Sequence, residues 1–181
     1  MINQVKEFME AFGQLPNKQS YVNLLNLRFR LIDEEVQELQ EAETPVEHLD
    51  AIVDILYVAY GALLALNEDE MTDEYETIPY NFEELKAMKP AVTSDRLAIA
   101  EDYDRYVEEI HEIIHRTRIL GSMFPIEEAF DEVHNSNMSK LDSNGKPIKN
   151  QYGKVLKGPH YLPPNLGLYI PEETNETNTN D

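Results

Sequence analysis

The chain has 181 residues, of which 35 are acidic and 15 basic, giving a formal net charge of −20, with no cysteine and 41% hydrophobic residues. That length supports one domain with a real core and not two of ordinary size. The charge argues against adhesion to DNA, RNA or an anionic membrane, and the lack of thiols excludes disulfides and thiolate metal sites.

The opening MINQVKEFMEAFG has no long apolar core and no cleavage-like end, so no signal peptide is expected. Val5, Phe8, Met9 and Phe12 recur at helical spacing, which predicts a helix over 2–12 that Gly13 and Pro16 end. A second helix is predicted over 19–42, stopped by Thr44-Pro45, and a third over 45–66 with Pro45 in its first turn, where a missing N–H costs nothing. No uninterrupted apolar run approaches the length of a bilayer span, so no membrane association and a cytoplasmic setting are expected. The acidic, proline-interrupted stretch that follows reads as a long connection holding one short helix near 81–88. A continuous helix is predicted from Ser94 to Gly121, and another from Pro125 to Met138. The remainder is rich in Gly, Pro, Asn and Lys, with turn signals at Asn144-Gly145 and Tyr152-Gly153 that predict a hairpin or ordered loop over 139–171. Residues 172–181 have the composition of a disordered tail. The fold class is therefore all-α, in a single domain over 1–171.

Leu25, Phe29, Ile32, Val36 and Leu39 step by fours and threes and form a coiled-coil-like seam on the second helix. Val46, Leu49, Val53, Leu56, Tyr60 and Leu63 do the same on the third. Beside the first seam runs the stripe Leu24, Arg28, Leu31, Glu35, Glu38, and beside the second runs Asp50, Asp54, Tyr57, Gly61. Any one of these carboxylates reads most simply as the wet flank of an amphipathic helix. Four of them flanking two seams joined by a short turn can instead converge. Their repulsion is relieved by a divalent cation, and oxygen-only ligands favour Mg²⁺ or Mn²⁺ over zinc. His111 and His115 lie four apart with no third ligand nearby in sequence, and no P-loop, dinucleotide fingerprint or catalytic triad is present.

LRFRLIDEEVQEL followed by LDAIVDILYVAYGAL, with FMEAFGQLP before and EEAFDEVHNSNMSKLDSNGKPIKNQYGKVLKGPHYLPP after, resembles the MazG-type, all-α nucleotide pyrophosphohydrolase superfamily, in its phosphoribosyl-ATP pyrophosphohydrolase-like branch. The resemblance covers about 7–66 and 125–166. It implies a helical bundle whose four-helix core is completed by dimerisation, hence a homodimer or homotetramer. It also implies a metal motif of Glu-x-x-Glu on one helix and Glu-x-x-Asp on the next. Glu35 and Glu38 match the first pair, preceded by the extra acid Glu34, and Asp54 matches the final position. The fourth ligand departs from the pattern: Ala51 stands three before Asp54, so Asp50 is its expected substitute, with Glu47 as the fallback. Compact relatives also lack residues 67–120, an insert that would cap the site, extend an oligomer contact, or do neither.

Lys140, Lys146, Lys149, Lys154 and Lys157 fall within eighteen residues of a very acidic chain. A solvated loop explains them plainly. A lid over phosphates explains them functionally, and the resemblance supports that reading best for Asn137 and Lys140, with Lys157 from the loop. Arg28 is expected to touch phosphate, orient a carboxylate or form a simple salt bridge. Tyr57 is expected to stack on a base or to pack in the core. The resulting expectation is an enzyme: a Mg²⁺-dependent pyrophosphohydrolase acting on nucleoside triphosphates, in which Glu35 or Glu34 accepts a proton from water. Phosphoribosyl-ATP hydrolysis and a non-catalytic acidic interaction protein are the alternatives.

Overall fold

The computed structural model describes residues 1–14, 21–68, 78–98, 102–150 and 155–172. The Tyr152-Gly153 turn, Lys154, the tail from 173 onward and the side chains of Leu24 and Leu25 lie outside the described residues. Helix α1 (Ile2–Ala11) is followed by α2 (Tyr21–Glu41), α3 (Pro45–Ala65), α4 (Phe82–Met88), the short α5 (Asp95–Ala98), α6 (Tyr103–Gly121) and α7 (Ile126–Met138). Short 3-10 turns follow α4 and lie at Leu166–Tyr169. No strand occurs among the described residues. The expected hairpin is reduced to two isolated bridges, Leu141 with Pro147 and Lys149 with Val155.

The turn between α2 and α3 is fixed locally. Thr44 caps α3 by accepting from Glu47 N, while the Glu47 carboxylate accepts from the backbone N–H groups of Glu43 and Thr44, each at 2.9 Å. This reciprocal arrangement satisfies backbone donors that the helix start leaves open. With Pro45 inside the first turn, the chain reverses over three residues and lays α3 antiparallel on α2.

Helix α3 is the centre of the molecule. It packs against α1, α2, α6 and α7, and its seam residues Leu49, Val53, Leu56, Tyr60 and Leu63 are buried. Val46, assigned to the same seam from its spacing, is 42% exposed, because the first turn projects beyond the neighbouring helices. The amphipathic reading of this helix was too narrow, since Ala51, Ile52, Ile55, Ala59, Ala62 and Leu64 are buried as well. A helix apolar all round belongs inside a bundle. By length and composition α3 is also apolar enough to cross a bilayer, although no unbroken apolar run in it is that long, and 83% of its most apolar window is buried inside the structure.

The segment over 67–120 is not an appendage. Lys89 Nζ donates to the carbonyls of Gln40 and Ala42 at 2.9 Å, closing the carboxyl end of α2, and Ser94 Oγ donates to Asp33 Oδ1 at 2.6 Å. The single helix predicted from Ser94 is broken: Asp102 has extended backbone angles and its side chain accepts from Arg105 N at 2.9 Å, so α6 starts afresh there. Tyr106, Ile110, Ile113, Ile114 and Leu120 of α6 then enter the common core. At the close crossing of α6 over α3, a Cβ on Gly121 would stand 3.1 Å from Ile52 Cγ2 and 3.2 Å from Ile126 Cδ1, so glycine is needed for space.

The C-terminal arm wraps back over α1 and α7. Asp142 accepts from the N–H groups of Asn144 and Lys146 at 2.8 Å and organises the first turn, with Gly145 at a φ of 71°. Lys149 Nζ donates to Phe12 O at 2.8 Å, Leu162 N donates to Ser139 Oγ at 2.9 Å, and Leu166 is buried. If α6 is core rather than decoration, Ile114→Ala will cost about 2–5 kcal/mol of unfolding free energy in a urea titration. A cost under about 0.5 kcal/mol, the usual effect of a surface change, would return α6 to the periphery.

Candidate active site on the α2–α3 face

The hairpin sets a definite register between the two stripes. Arg28 lies against Gly61, where an added Cβ would be 3.5 Å from Nη1. Further toward the turn, Glu35 interacts with Asp54, and Glu38 with Asp50. Each step along α2 is thus matched by a step back along α3, so the two stripes run side by side and their carboxylates feel one another's charge.

They meet at an electrostatic cost. Burial, then the charges of Glu38, Glu34 and Asp50, push the Glu35 carboxyl up to about 7. Burial, then Glu35 and Asp50, push Asp54 up to about 8, with Lys140 opposing. Asp50 is raised by burial and by Glu38. Partly buried carboxylates facing one another hold protons that isolated ones release. Glu38 and Asp50 remain open to solvent and line, with Glu41, Ala42, Glu43, Glu47 and Ala51, a cleft of about 300 Å³ at the hairpin turn. Glu34 is exposed and contributes charge to Glu35. Glu47, the fallback ligand, spends its carboxylate on the cap of α3, which leaves Asp50 as the nearer substitute.

Among the described residues no three acidic or histidine side chains are already gathered into a metal-holding cage. Like charges without a counter-ion have no reason to close up. The donor set and the raised proton affinities nevertheless fit a hard dication, since a bound cation would replace the protons that burial and repulsion now favour.

On the opposite rim stand the cations. Lys140, just past the end of α7, interacts with Asp54 across the gap, and burial lowers its pKa. Its Nζ donates to Asn137 Oδ1. Lys157 Nζ lies 4.6 Å from the centre of the Tyr161 ring, and Lys140 Nζ lies 6.0 Å from it. Asn137 on α7, Lys140 just past its end and Lys157 on the arm are therefore gathered together, with Tyr161 between the two lysines. Tyr161 belongs with them and escaped notice, because attention to charge passes over an aromatic residue in a proline-rich run.

Tyr57 and Arg28 are placed deeper. Tyr57 is 7% exposed; its ring stacks on Phe130 with centroids 5.3 Å apart and meets Phe8 edge-on at 5.6 Å. A ring so enclosed is not free to stack on a base. Its hydroxyl lies 3.1 Å from His134 Nδ1, with the Asn137 side chain close enough to favour its ionised form. Burial raises its pKa strongly. Arg28 is 7% exposed, near Tyr106, and burial lowers its pKa. No ion pair joins it to Glu35 among the described residues, and its Nε has no hydrogen-bond partner there. His134 stands one turn before Asn137 on the same face of α7, a spacing visible in the sequence.

Residues 5–74 match the family model described as phosphoribosyl-ATP pyrophosphohydrolase, in the MazG-like all-α NTP pyrophosphohydrolase superfamily. The match spans α1 to α3 and stops before α6, α7 and the arm. Neither a curated protein nor a solved structure matches the chain.

The folded values of Glu35 and Asp54, about 7 and about 8, lie above their ordinary 4.5 and 3.8, so protonation stabilises the cation-free fold. That contribution is complete below the ordinary values and is lost as pH rises through the folded ones. The Tm measured in chelator should fall from about pH 4 to about pH 8 and level off above that, and Mg²⁺ should restore it most at the alkaline end. Asp54→Asn should flatten both dependences. An Mg²⁺ effect independent of pH and of Asp54 would mean that the ion binds elsewhere.

Proposed function

We infer that this chain, whose α1–α3 segment carries the pyrophosphohydrolase pattern of the MazG-like superfamily, is a Mg²⁺-dependent enzyme that cleaves nucleoside or deoxynucleoside triphosphates to the monophosphate and pyrophosphate. The observation that carries this reading is the placing of Lys140, held on Asn137 Oδ1, where its charge is felt by Asp54, which also feels Glu35, Asp50 and Glu38. An anionic chain of phosphates fits between a cation-binding acidic wall and a lysine rim, and little else of that charge pattern does.

Glu35, Glu38, Asp50 and Asp54 would hold the metal. When bound, Mg²⁺ supplies charge neutralisation for the phosphates and makes water easier to deprotonate. Glu35, half-buried and with a proton affinity near neutrality, is suited to accept the proton of the attacking water, better than the exposed Glu34. Lys140 and Lys157 act as point charges on the departing phosphates, and Asn137 orients Lys140. Arg28 lies about two helical turns from Glu35, too deep to meet the same phosphates. It is buried beside Gly61, near Tyr106. By resemblance the working assembly is proposed to be at least a homodimer, in a cytoplasmic setting.

Hydrolysis of phosphoribosyl-ATP is a second reading, favoured by the description of the matching family itself. Both share the bond cleaved and differ in the group attached to it. Pyrophosphate release should be measured over NTPs, dNTPs and phosphoribosyl-ATP, with and without Mg²⁺. Release should require Mg²⁺ and vanish in Glu38→Gln, which removes a charge and keeps the shape. Lys140→Ala should raise KM by at least about tenfold, the usual loss for a charge-assisted contact. Indifference to both Mg²⁺ and Glu38 would identify a non-catalytic acidic interaction protein.

A further inference from the structure

Side chains from α1, α3 and α7 form a directed chain that ends at the lysine rim. His134 is 6% exposed and Tyr57 7%, so neither exchanges partners freely with water. His134 Nε2 stands 3.4 Å from Glu7 Oε2, and His134 Nδ1 lies 3.1 Å from the Tyr57 hydroxyl. The Asn137 side chain lies beside the same hydroxyl and lowers its pKa as a donor does, and Asn137 Oδ1 accepts from Lys140 Nζ.

The two ends decide the direction of every bond between them. An ammonium only donates, so the Asn137 carbonyl oxygen faces Lys140 and its NH₂ turns to Tyr57. A phenol oxygen that receives that N–H directs its own proton to His134 Nδ1. The imidazole proton is then on Nε2, facing the Glu7 carboxylate, which only accepts. At the buried middle of the chain, Tyr57 and His134, this polarity gives each donor an acceptor, and an unmet one there would carry the cost of a buried unsatisfied group. The hydroxyl of Tyr57 is not needed for packing, because Phe8 and Phe130 contact the ring. Its place in this chain is what distinguishes it from a phenylalanine.

We propose that Tyr57 and His134, anchored by Glu7, are positioning residues that hold the Asn137 amide, and through it the Lys140 ammonium, in the attitude that receives a substrate phosphate. The proposal rests on the reading that Asn137 and Lys140 meet phosphate. None of the three positioning residues touches the substrate, and Glu7 acts from a helix remote in sequence from α7.

Tyr57→Phe deletes one oxygen and keeps the ring. It should raise the nucleotide KM about tenfold and leave kcat within about twofold, the signature of a lost binding contact rather than a lost chemical step. His134→Ala should do the same. His134→Asn, whose Oδ1 can replace the Nδ1 acceptor, should return KM to within about threefold of the parent, less than one hydrogen bond's worth. The double variant Tyr57→Phe/His134→Ala should cost no more than either alone, because both cut the same chain. Independently of activity, ¹⁵N resonances of the His134 ring should show the Nε2–H tautomer, and the Asn137 side-chain amide should shift in Tyr57→Phe.

An unchanged KM in Tyr57→Phe, or strictly additive effects in the double variant, would overturn the positioning role. A His134 ring protonated on Nδ1 would overturn the network itself. If the parent chain releases no pyrophosphate from any nucleotide while the tautomer is as expected, the functional reading has failed and the positioning role falls with it. An active parent with an unchanged KM in the variants sinks only the positioning role.

Discussion

Repulsion among carboxylates held on two facing helices is the constraint on which the rest depends. Glu35, Glu38, Asp50 and Asp54 are brought together by the antiparallel register of α2 and α3, and neither burial nor mutual charge favours their ionised forms. A fold tolerates such a cluster only if other interactions secure the helices that carry it. Here the hairpin is closed by the Thr44–Glu47 cap, and Lys89 closes the end of α2 with two carbonyl contacts. The strain of the acidic face is thereby local, and a cation is the natural relief.

The rigid support comes from the far side of α3. Helix α6 fills the face that α2 leaves open, with Ile110, Ile113 and Ile114 buried against the common core. In a compact relative without such a segment, that surface would need another cover. In this chain the core around α3 is built from α1, α2, α6 and α7 of a single copy. The segment over 67–120 thus acts first as structure, and its contacts with α2 through Gln40 and Asp33 tie it to the helix that carries Glu35 and Glu38.

The site is two-sided, and the sides reach it by different physical routes. The acidic wall follows from helical periodicity within one hairpin. The basic rim depends on an arm that crosses α1 and α7 through a few specific bonds: Lys149 to Phe12, Leu162 to Ser139 and Asn165 to Glu132. Between the two runs the aromatic cluster of Phe8, Phe12, Tyr57 and Phe130. It encloses the Tyr57 ring and leaves its hydroxyl to His134 Nδ1.

Local chemistry wrote much of this into the residue order. Periodicity located α1, α2, α3 and α7 closely, Thr44-Pro45 marked the break between two helices, and the carboxylate spacing named the acidic wall, because those signals act within one or two helical turns. The break before α6 was not visible, since Asp102 reads equally as an exposed helix residue and as a cap until its backbone is known. Nor was the full burial of α3, whose remaining sides are covered by α1, α6 and α7 as well as by its neighbour α2. The fate of Tyr57, the role of His134 and the arrival of Tyr161 beside Lys157 are likewise tertiary. A side chain's partners across space are set by how helices stack, and the one-dimensional spacing of residues carries no record of the distance from Glu7 to His134.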